Sequence, residues 1–369
     1  MSKSSFRSCC LLGVVGVVLL LALQTVNKSS FAKPPIKYAK LYGPVSSETS
    51  ETLATPVRNF VFVKTHKTGS TSVRDILKRY IRSHGLIEIA TRKGSPPMKN
   101  QFLEINNNRT YRVVHRPGEY NALVSHCRYR KSVADKLIRN PIYLTILRNP
   151  YTLFLSAFDF FSVVRQCVGA ATEIGPLEVL DNPRIYYNKL RKCAFHWHIL
   201  NPMAYDLGLE PPYDDKDVRS KIREMDEAFS LVMIMEHYPE SIVMLRRILK
   251  WNLTDVVMMP ARTHPNFKKN DEKVSDYEKL VAHHQDAVLT DRHKEVLRDW
   301  LRADFLIYNH FLKVFHEKIR DEERRTGSFA FEVERYKDAM VNFTKGKDIR
   351  SLPRDRQSQM AEWYEKKTA

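Results

Sequence analysis

Runs of apolar residues alternate with helix-like patterns along the middle of the chain. The strand-like runs lie at residues 60–63, 122–125, 142–147 and 231–235. Short continuous apolar runs are typical of strands that are covered on both faces, as in parallel sheets whose strands are joined by crossover helices. The pattern therefore predicts an α/β domain in which helices flank a parallel sheet.

Amphipathic helices are predicted directly after the first and the last of these runs. Residues 70–72 supply a helix start, and the apolar residues that follow recur at helical spacing, at Val73, Ile76, Leu77, Tyr80 and Ile81. After the last run, Pro239 suits a first helical turn, and one side of the helix carries Ile242, Leu245 and Leu249. Each of these strands is therefore expected to pass through a short loop into a helix that packs on the sheet.

The N-terminus has a different pattern. Lys3 and Arg7 precede 18 uncharged residues at 9–26, which is near the length that spans a bilayer as a helix. Cationic residues on the N-terminal side of such a segment favour a cytoplasmic N-terminus. The pattern predicts a cytoplasmic tail at 1–8 and a transmembrane signal anchor at 9–26, with everything beyond it lumenal.

The rest of the chain divides by composition. Residues 27–57 are rich in proline, serine and threonine and are predicted to form a flexible stem. A cleavable signal is the alternative to the anchor, because Ser30 and Ala32 form a small-residue cleavage site. The lumenal domain is predicted at 58–320. Residues 321–369 are highly charged and are predicted to form an extension of one or two surface helices and a tail.

Cysteines and glycosylation sequons agree with a secreted or lumenal location. Sequons of the type Asn-x-Ser/Thr occur at Asn27, Asn108, Asn252 and Asn342. The cysteines beyond the anchor are Cys127, Cys167 and Cys193, which allow one disulfide. We favour Cys167 with Cys193, because Cys127 falls in an apparent buried strand.

Length and charge narrow the classes of partner. The chain has 369 residues, of which 43% are hydrophobic, so it can build one large core or two modest ones. Its formal net charge of +18 indicates an anionic partner: nucleic acid, an acidic lipid surface, or a polyanionic substrate or cofactor. The sequence has no arginine-rich repeat, zinc-finger spacing or RNA-binding aromatic signature, so we predict no nucleic-acid partner.

The loop after the first strand is rich in hydrogen-bond donors. In "KTHKTGSTS", residues 64–72, a lysine, hydroxyl side chains and backbone N–H groups gather at the start of a helix, an arrangement that suits a phosphate or a similar oxyanion. The alternative is an ordinary helix N-terminus. A nucleotide triphosphate loop is excluded, because Lys67 precedes Gly69 and position 62 is phenylalanine.

A second cationic site is predicted at the end of the run at 142–147. Arg148 follows this strand directly, Pro150 starts a helix, and Ser156 lies eight residues past the arginine. The carboxyl ends of parallel strands form the ligand crevice of an open sheet, and an arginine there can bind a phosphate with two parallel hydrogen bonds. A capped helix is the alternative. Two anion sites at two strand ends predict a ligand with two anionic ends.

Several segments resemble a known family. "KTHKTGSTS" and "LRNPYTLFLSAF" look like the 5′- and 3′-phosphosulfate-binding segments of Golgi sulfotransferases that use 3′-phosphoadenosine-5′-phosphosulfate (PAPS). More narrowly, "FVKTHKTGSTS", "SHCRY", "YDLGLE" and "FSLVMIMEHYPES" are similar to segments of the galactose-3-O-sulfotransferases, which include cerebroside sulfotransferase. The resemblance covers roughly residues 58 to 320 and implies the P-loop-like sulfotransferase fold.

The resemblance implies roles for individual residues. Arg148 and Ser156 would hold the 3′-phosphate, and Lys67 would act on the bridging oxygen of the donor. The 5′-phosphosulfate would lie against Lys64, Thr65, His66, Lys67, Thr68, Gly69, Ser70, Thr71 and Ser72. His126 is the favoured catalytic base, since it matches the strand-end histidine of the family, although Cys127 and Tyr129 stand where the family has methionine and phenylalanine.

Other polar and aromatic residues are candidates for lesser roles. His115 is the rival base, His66 either packs or binds phosphate, and Glu236 is a possible second base at a strand end. Arg128 is a candidate for orienting acceptor or donor, and a surface salt bridge is the alternative. His196, Trp197 and Tyr205 are candidates for an aromatic wall against the acceptor sugar, and core packing is the alternative for each of them. His283 and His284 lie in polar sequence and are assigned no catalytic role.

A metal site is one interpretation of "CAFHWHIL", residues 193–200. Cys193, His196 and His198 include a His-x-His pair, but no carboxylate or fourth ligand is evident, and sulfuryl transfer needs no bound ion. We therefore expect no metal.

The function implied is transfer of a sulfuryl group from PAPS to a glycan, at the 3-hydroxyl of a terminal β-galactose on a glycolipid or glycoprotein. The location implied is the Golgi membrane, with a single-pass type II topology. One alternative is sulfation of another sugar position, on a uronic acid or hexosamine of a glycosaminoglycan. The others are a lumenal ATP-dependent kinase and a non-catalytic glycan-binding relative.

Overall fold

The computed structural model describes residues 55–91, 111–112, 115–161, 166–167, 174–257 and 289–344. The predicted anchor at 9–26 lies outside these ranges, as do the predicted tail at 1–8 and most of the stem. Among the helices that are described, none combines the length and the apolar composition needed to cross a bilayer.

The described part of the chain contains helices throughout, and its last strand ends at Ile234. The strands are β1 (Phe60–Val63), β2 (Ala90–Thr91), β3 (Tyr111–Arg112), β4 (Ala122–Leu123), β5 (Ile142–Leu147) and β6 (Phe229–Ile234). The helices up to β6 are α1 (Ser70–Ser83), α2 (Lys131–Leu137), α3 (Pro150–Phe161), α4 (Pro176–Asp181), α5 (Pro183–Lys192), α6 (Pro202–Asp206) and α7 (Asp215–Ala228). After β6 come α8 (Tyr238–Leu249), α9 (Leu253–Val256), α10 (Asp291–Trp300), α11 (Arg302–Thr326) and α12 (Phe329–Thr344), and short 3₁₀ turns occupy His196–His198 and Met235–His237.

A four-stranded parallel sheet forms the centre of the domain. Its strand order is β4-β1-β5-β6, and a separate antiparallel pair joins β2 to β3. All four residues of β1 are buried, as are five of the six residues of β5, so helices and loops cover both faces of the sheet. The prediction of an α/β domain with a parallel sheet flanked by helices is confirmed.

The register of the sheet sets where the loops lie. Phe60 to Val63 pair in order with Ile142 to Thr145, so β1 and β5 run side by side in the same direction. Their carboxyl ends meet at one edge, where β1 leads into α1 and β5 leads into α3. The adjacent strand β6 leads into α8 at the same edge. The loops at 64–69, 148–149 and 235–237 are therefore neighbours.

The helix that follows β1 has the predicted apolar stripe. Its buried side chains are Val73, Ile76, Leu77, Tyr80 and Ile81, together with Ser70 and Ser72 at its start. In α8, Pro239 lies in the first turn, and Ile242, Leu245 and Leu249 are fully buried. Both predicted helices are confirmed.

The domain continues beyond residue 320. The boundary predicted there falls inside α11, and α12 packs against α8 through a face that includes Phe329 and Tyr336. Two arginines of α8 join this face, because Arg247 contacts Glu322 at 2.6 Å and both Arg246 and Arg247 pair with Glu332. The burial of this segment was not predicted, because its acidic residues are typical of a solvated surface. In the structure they form ion pairs with largely buried arginines.

The predicted disulfide is present between Cys167 and Cys193. Cys127 is a buried free cysteine, but it follows β4 instead of lying in a strand. Of the sequons, Asn27 and Asn108 lie outside the described residues, Asn252 is the exposed N-cap of α9, and Asn342 lies in α12.

We predict that Gly69→Ala destabilises the fold more than Gly85→Ala. Gly69 has a φ of 75°, and a Cβ added there would overlap the sulfur of buried Met235, whereas Gly85 has a φ of 59° and open space around it. The left-handed backbone alone costs an alanine about 1 kcal/mol, and displacing Met235 should bring the loss at Gly69 to about 2 kcal/mol or more. Urea unfolding of both variants measures the difference, and equal losses would contradict the prediction.

Candidate active site

The loop between β1 and α1 is held in shape by its own hydroxyl groups. The hydroxyls of Thr65 and Thr68 are 2.7 Å apart, and the Ser70 hydroxyl donates to the Thr65 carbonyl at 2.5 Å. Thr65 also donates to the carbonyl of Ile146 on β5, again at 2.5 Å. Left-handed backbone at Lys67 and Gly69 completes the turn. The loop is therefore a fixed structure that is tied to the neighbouring strand.

The helix start that follows this loop is free of acidic side chains. Its first residues, Ser70 to Ser72, bring hydroxyl and backbone N–H groups to the positive end of the helix dipole. The Lys67 ammonium lies 3.8 Å from the centre of the Phe160 ring, a cation–π contact with an exposed aromatic side chain. The arrangement can accept an anion at this edge of the sheet.

Arg148 joins the ends of the two central strands. Its guanidinium donates to the backbone carbonyl of Lys67 at 3.0 Å and to the hydroxyl of Thr152 at 3.1 Å. Burial lowers the pKa of Arg148 to about 10, and Glu236 opposes that shift. The two strand ends predicted to bind anions are therefore neighbours, since the Arg148 guanidinium reaches the backbone of Lys67.

The helix after Arg148 carries hydroxyl groups on one face. Ser156 is buried in α3, one turn beyond Thr152, and residues four apart on a helix lie on the same face. Thr152 was not predicted as a site residue. The i+4 spacing of Thr152 from both Arg148 and Ser156 is the signal that would have identified it.

Glu236 supports the Arg148 loop. It lies just after β6, and its two carboxylate oxygens accept from the backbone N–H of Asn149 at 2.8 Å and from the Tyr308 hydroxyl at 3.0 Å. Burial raises its pKa, while the bond from Asn149 and the charge of Arg148 act in the opposite direction. With both oxygens engaged by the protein, Glu236 holds the loop in place, which disfavours the predicted role of second base.

Lys64 and His126 form a buried polar contact. The Lys64 ammonium nitrogen is 3.0 Å from Nε2 of His126 and donates to the Ser70 hydroxyl at 3.1 Å. Burial, with Arg74 as the next cause, lowers the pKa of Lys64 to about 7. Burial and the nearby His66 and Lys64 hold the pKa of His126 well below its usual value. His126 is therefore neutral near pH 7 and able to accept a proton.

His66 packs within the protein and bonds to a buried carboxylate. Its Nδ1 is 2.9 Å from both oxygens of Asp206, and its ring stacks on that of His126 with 4.3 Å between centroids. Asp206 was not predicted as a site residue. The signal for it was an aspartate between Tyr205 and Leu207 in a largely apolar stretch, because a buried acid needs a partner.

The rival base lies at the surface. The His115 side chain is 45% exposed, its Nδ1 is 3.8 Å from a carboxylate oxygen of Glu119, and its ring packs edge-on against Tyr120. His126, which contacts Lys64 and His66, is therefore favoured over His115. His283 and His284 lie outside the described residues.

Trp197 and Tyr205 form part of the packing around the histidines. Trp197 is buried, stacks on Tyr205 at 4.8 Å and meets His66 edge-on at 5.5 Å. His198 stacks on Phe161 at 3.9 Å, and burial lowers its pKa to about 3. The burial and ring contacts of Trp197 favour the alternative of core packing over a wall against the acceptor.

The structure disfavours a metal site at 193–200, because its one cysteine is in a disulfide. The sulfur of Cys193 is bonded to Cys167, so it is not available as a ligand, and Nδ1 of His196 is 2.9 Å from the Cys193 carbonyl. Within the part of the chain that the structure describes, no group of three or more candidate ligands comes together.

Arg128 has a structural role. Its guanidinium lies 3.9 Å from the Tyr205 ring centre, donates to the carbonyls of Tyr205 and Leu209, and pairs with Glu210 at 2.5 Å. These contacts fix the segment that carries Asp206. They leave the guanidinium bound to protein, which disfavours the predicted role in orienting a substrate.

Comparisons with known proteins agree on one family. The family model described as galactose-3-O-sulfotransferase matches residues 2–345. Galactose-3-O-sulfotransferase 2 of Sus scrofa is 29% identical over 312 residues, which cover 83% of this chain and 71% of the relative. Galactosylceramide sulfotransferase of Homo sapiens is 30% identical over 72% of this chain, and galactose-3-O-sulfotransferase 3 of Homo sapiens is 35% identical over 53%. The chain spans 58% and 46% of the lengths of these two human relatives.

We predict that the Lys64 amine makes stability rise with pH. Its pKa is about 7 in the folded protein and 10.5 ordinarily, so between these values the unfolded chain binds the extra proton and the free energy of unfolding increases with pH. The gain is at most about 1.4 kcal/mol per pH unit, is complete above the ordinary pKa, and is lost as pH falls through the folded pKa. Lys64→Met should remove this rise, as measured by denaturant unfolding across the range.

Lys78→Met is the matched control for this experiment. Lys78 lies on α1, is partly exposed and pairs with Glu88 at 3.3 Å. Its variant should keep the pH dependence of the wild-type protein. Parallel curves for the wild-type protein and Lys64→Met would contradict the prediction.

Proposed function

The chain belongs to the galactose-3-O-sulfotransferase family, and on that premise we propose that it transfers a sulfuryl group from PAPS to the 3-hydroxyl of a terminal β-galactose. The acceptor is a glycolipid or a glycoprotein. The observation that carries the proposal is the hydrogen bond from Arg148 to the Lys67 carbonyl, which holds two cationic strand ends together. A nucleotide with anionic groups at both ends fits such a pair.

The chemistry of the donor set fits PAPS. At the first strand end, Lys64, Lys67 and the hydroxyl and N–H groups of 68–72 offer cationic and neutral donors without an acidic side chain among them. At the second, the Arg148 guanidinium hydrogen-bonds neutral acceptors, so its charge stays available for a phosphate. Lys64, Lys67 and Ser70 to Ser72 would hold the 5′-phosphosulfate, and Arg148 and Ser156 the 3′-phosphate.

Lys67 is assigned the role of stabilising the leaving group. PAPS supplies an activated sulfuryl group, and its departure places negative charge on a phosphate oxygen. A fixed cation and oriented N–H donors stabilise such charge most strongly in the transition state. The Lys67 ammonium lies 3.8 Å from the centre of the exposed Phe160 ring, at the same edge of the sheet as the start of α1.

His126 is assigned as the base that takes the proton of the acceptor hydroxyl. In the structure its Nε2 faces the Lys64 ammonium at 3.0 Å. An anionic donor competes for that ammonium, and when Lys64 turns toward the anion, Nε2 becomes available to the sugar hydroxyl. Binding of the first substrate would thereby prepare the base for the second.

The proposal includes a Golgi location with a single-pass type II topology. Its support is the uncharged segment at 9–26 behind Lys3 and Arg7, together with the disulfide between Cys167 and Cys193, which suits an oxidising compartment.

The acceptor is tested by product analysis. The protein beginning after residue 57 is incubated with labelled PAPS and with lactosyl, galactosylceramide and heparan acceptors, and the linkage of the sulfate is determined. We expect 3-O-sulfated galactose. Sulfate found on a uronic acid or hexosamine, or transfer seen only in a parallel incubation with labelled ATP and Mg²⁺ in place of PAPS, would overturn the assignment.

The donor site is tested by two substitutions. Lys67→Ala should lower kcat/KM by about 100- to 1000-fold, the usual cost of losing one stabilising donor at an oxyanion. Arg148→Lys should weaken PAPS binding by roughly tenfold or more, because an ammonium cannot make two parallel hydrogen bonds. Steady-state kinetics and calorimetry measure these effects.

Arg302→Lys is the matched control for the arginine. Arg302 makes a bidentate contact with Asp215 on the protein surface, with both distances at 2.7 Å. Its variant should bind PAPS like the wild-type protein. Undiminished product formation by Lys67→Ala would instead indicate a glycan-binding protein without this chemistry.

A further inference from the structure

Asp206 is a fully buried carboxylate at the end of α6. One of its oxygens accepts from the backbone N–H of His66 at 2.7 Å, and both oxygens lie 2.9 Å from Nδ1 of the same residue. A single side chain therefore fixes both the backbone and the ring of a residue in the Lys67 loop.

The contact determines which ring nitrogen of His66 carries the proton. An ionised carboxylate has no proton to donate, so Nδ1 of His66 must be the donor. In the neutral ring, Nε2 is then the nitrogen that accepts a proton. The buried negative charge also stabilises any positive charge that develops on the ring.

Asp206 reaches the segment of His126 as well. The His66 and His126 rings stack with an angle of 21° between their planes. The backbone carbonyl of Asp206 accepts from the N–H of Tyr129, three residues past His126. The loop after β1 and the segment after β4 are thus attached to the same aspartate from two sides.

We propose that Asp206 is a positioning residue for sulfuryl transfer: it fixes the Nδ1–H tautomer of His66 and, through the ring stack and the Tyr129 bond, the placement of His126. The proposal rests on the proposed function and adds a residue to that site. Asp206 touches neither the donor nor the acceptor, and it acts through the two histidines.

Asp206→Asn is the informative substitution. The amide oxygen still accepts from the His66 backbone N–H, but the amide nitrogen replaces one of the two acceptors of Nδ1 with a donor and thereby favours the opposite tautomer. We expect kcat to fall by about 100-fold or more. The dissociation constant of 3′-phosphoadenosine-5′-phosphate should change less than about threefold, because the cationic groups that bind it are unchanged.

Asp226→Asn is the matched control. Asp226 pairs with Nε2 of His310 at 2.8 and 2.9 Å, but this pair is partly exposed on α7 and α11. Its variant removes a carboxylate from a histidine in the same way and should keep the wild-type kcat.

Nitrogen NMR of histidine-labelled protein gives a readout besides activity. The His66 signals, assigned by their loss in His66→Gln, should show a protonated Nδ1 in the wild-type protein and a protonated Nε2 in Asp206→Asn. A wild-type His66 protonated at Nε2 would overturn the proposal, and this measurement decides the matter if Asp206→Asn fails to fold.

The kcat of Asp206→Asn is the second measurement that can overturn the proposal. An unchanged kcat for Asp206→Asn, or a loss of activity that is explained entirely by weaker nucleotide binding, would also overturn the positioning role. Failure of the wild-type protein to sulfate any galactoside would overturn the proposed function, while the tautomer of His66 would still report whether Asp206 controls the ring.

Discussion

The hydrogen bond between the Arg148 guanidinium and the Lys67 carbonyl is the contact on which the site depends. It joins residues 81 positions apart in the sequence, and it is possible because β1 and β5 are parallel neighbours whose ends meet at one edge. The carbonyl belongs to a residue with left-handed backbone, which turns it toward the arginine's strand. Glu236, just after the next strand, holds the other side of the Arg148 loop. Three successive strands of the sheet thus contribute to one anion site.

The site concentrates charges that a folded protein ordinarily avoids burying. Lys64 and Arg148 are almost fully buried, and burial lowers the pKa of each. Arg148 donates hydrogen bonds to a carbonyl and a hydroxyl. These acceptors fix the orientation of the guanidinium without neutralising its charge. The buried arginine at α8, by contrast, is paired with Glu322 and Glu332 and has its pKa raised. Buried cations whose hydrogen bonds go to neutral groups are typical of a ligand site, and cations that form ion pairs with carboxylates are typical of a structural contact.

Apolar patterning was sufficient to predict the sheet, the helices after β1 and β6, and the meeting of Lys67 with Arg148. These features follow from local periodicity and from the rule that parallel strands share a carboxyl edge. Asp206 and the structural role of Arg128 could not be predicted in this way, because their partners come from segments far apart in sequence. A helix was predicted in the segment of α12, but its burial against α8 was not, because the buried face includes Glu332, whose partners on α8 cannot be identified from periodicity.

The disulfide between Cys167 and Cys193 has a practical consequence for the preparation of this protein. It closes a loop of 26 residues, and a closure of that size restricts the unfolded chain by about 3.5 kcal/mol in the chain-entropy description. The same loop includes α4 and α5, which pack beside α3 and the aromatic residues around His66. A bacterial cytosol keeps thiols reduced, so material made there would lack this crosslink. A host with an oxidising folding compartment is therefore the appropriate source of the enzyme.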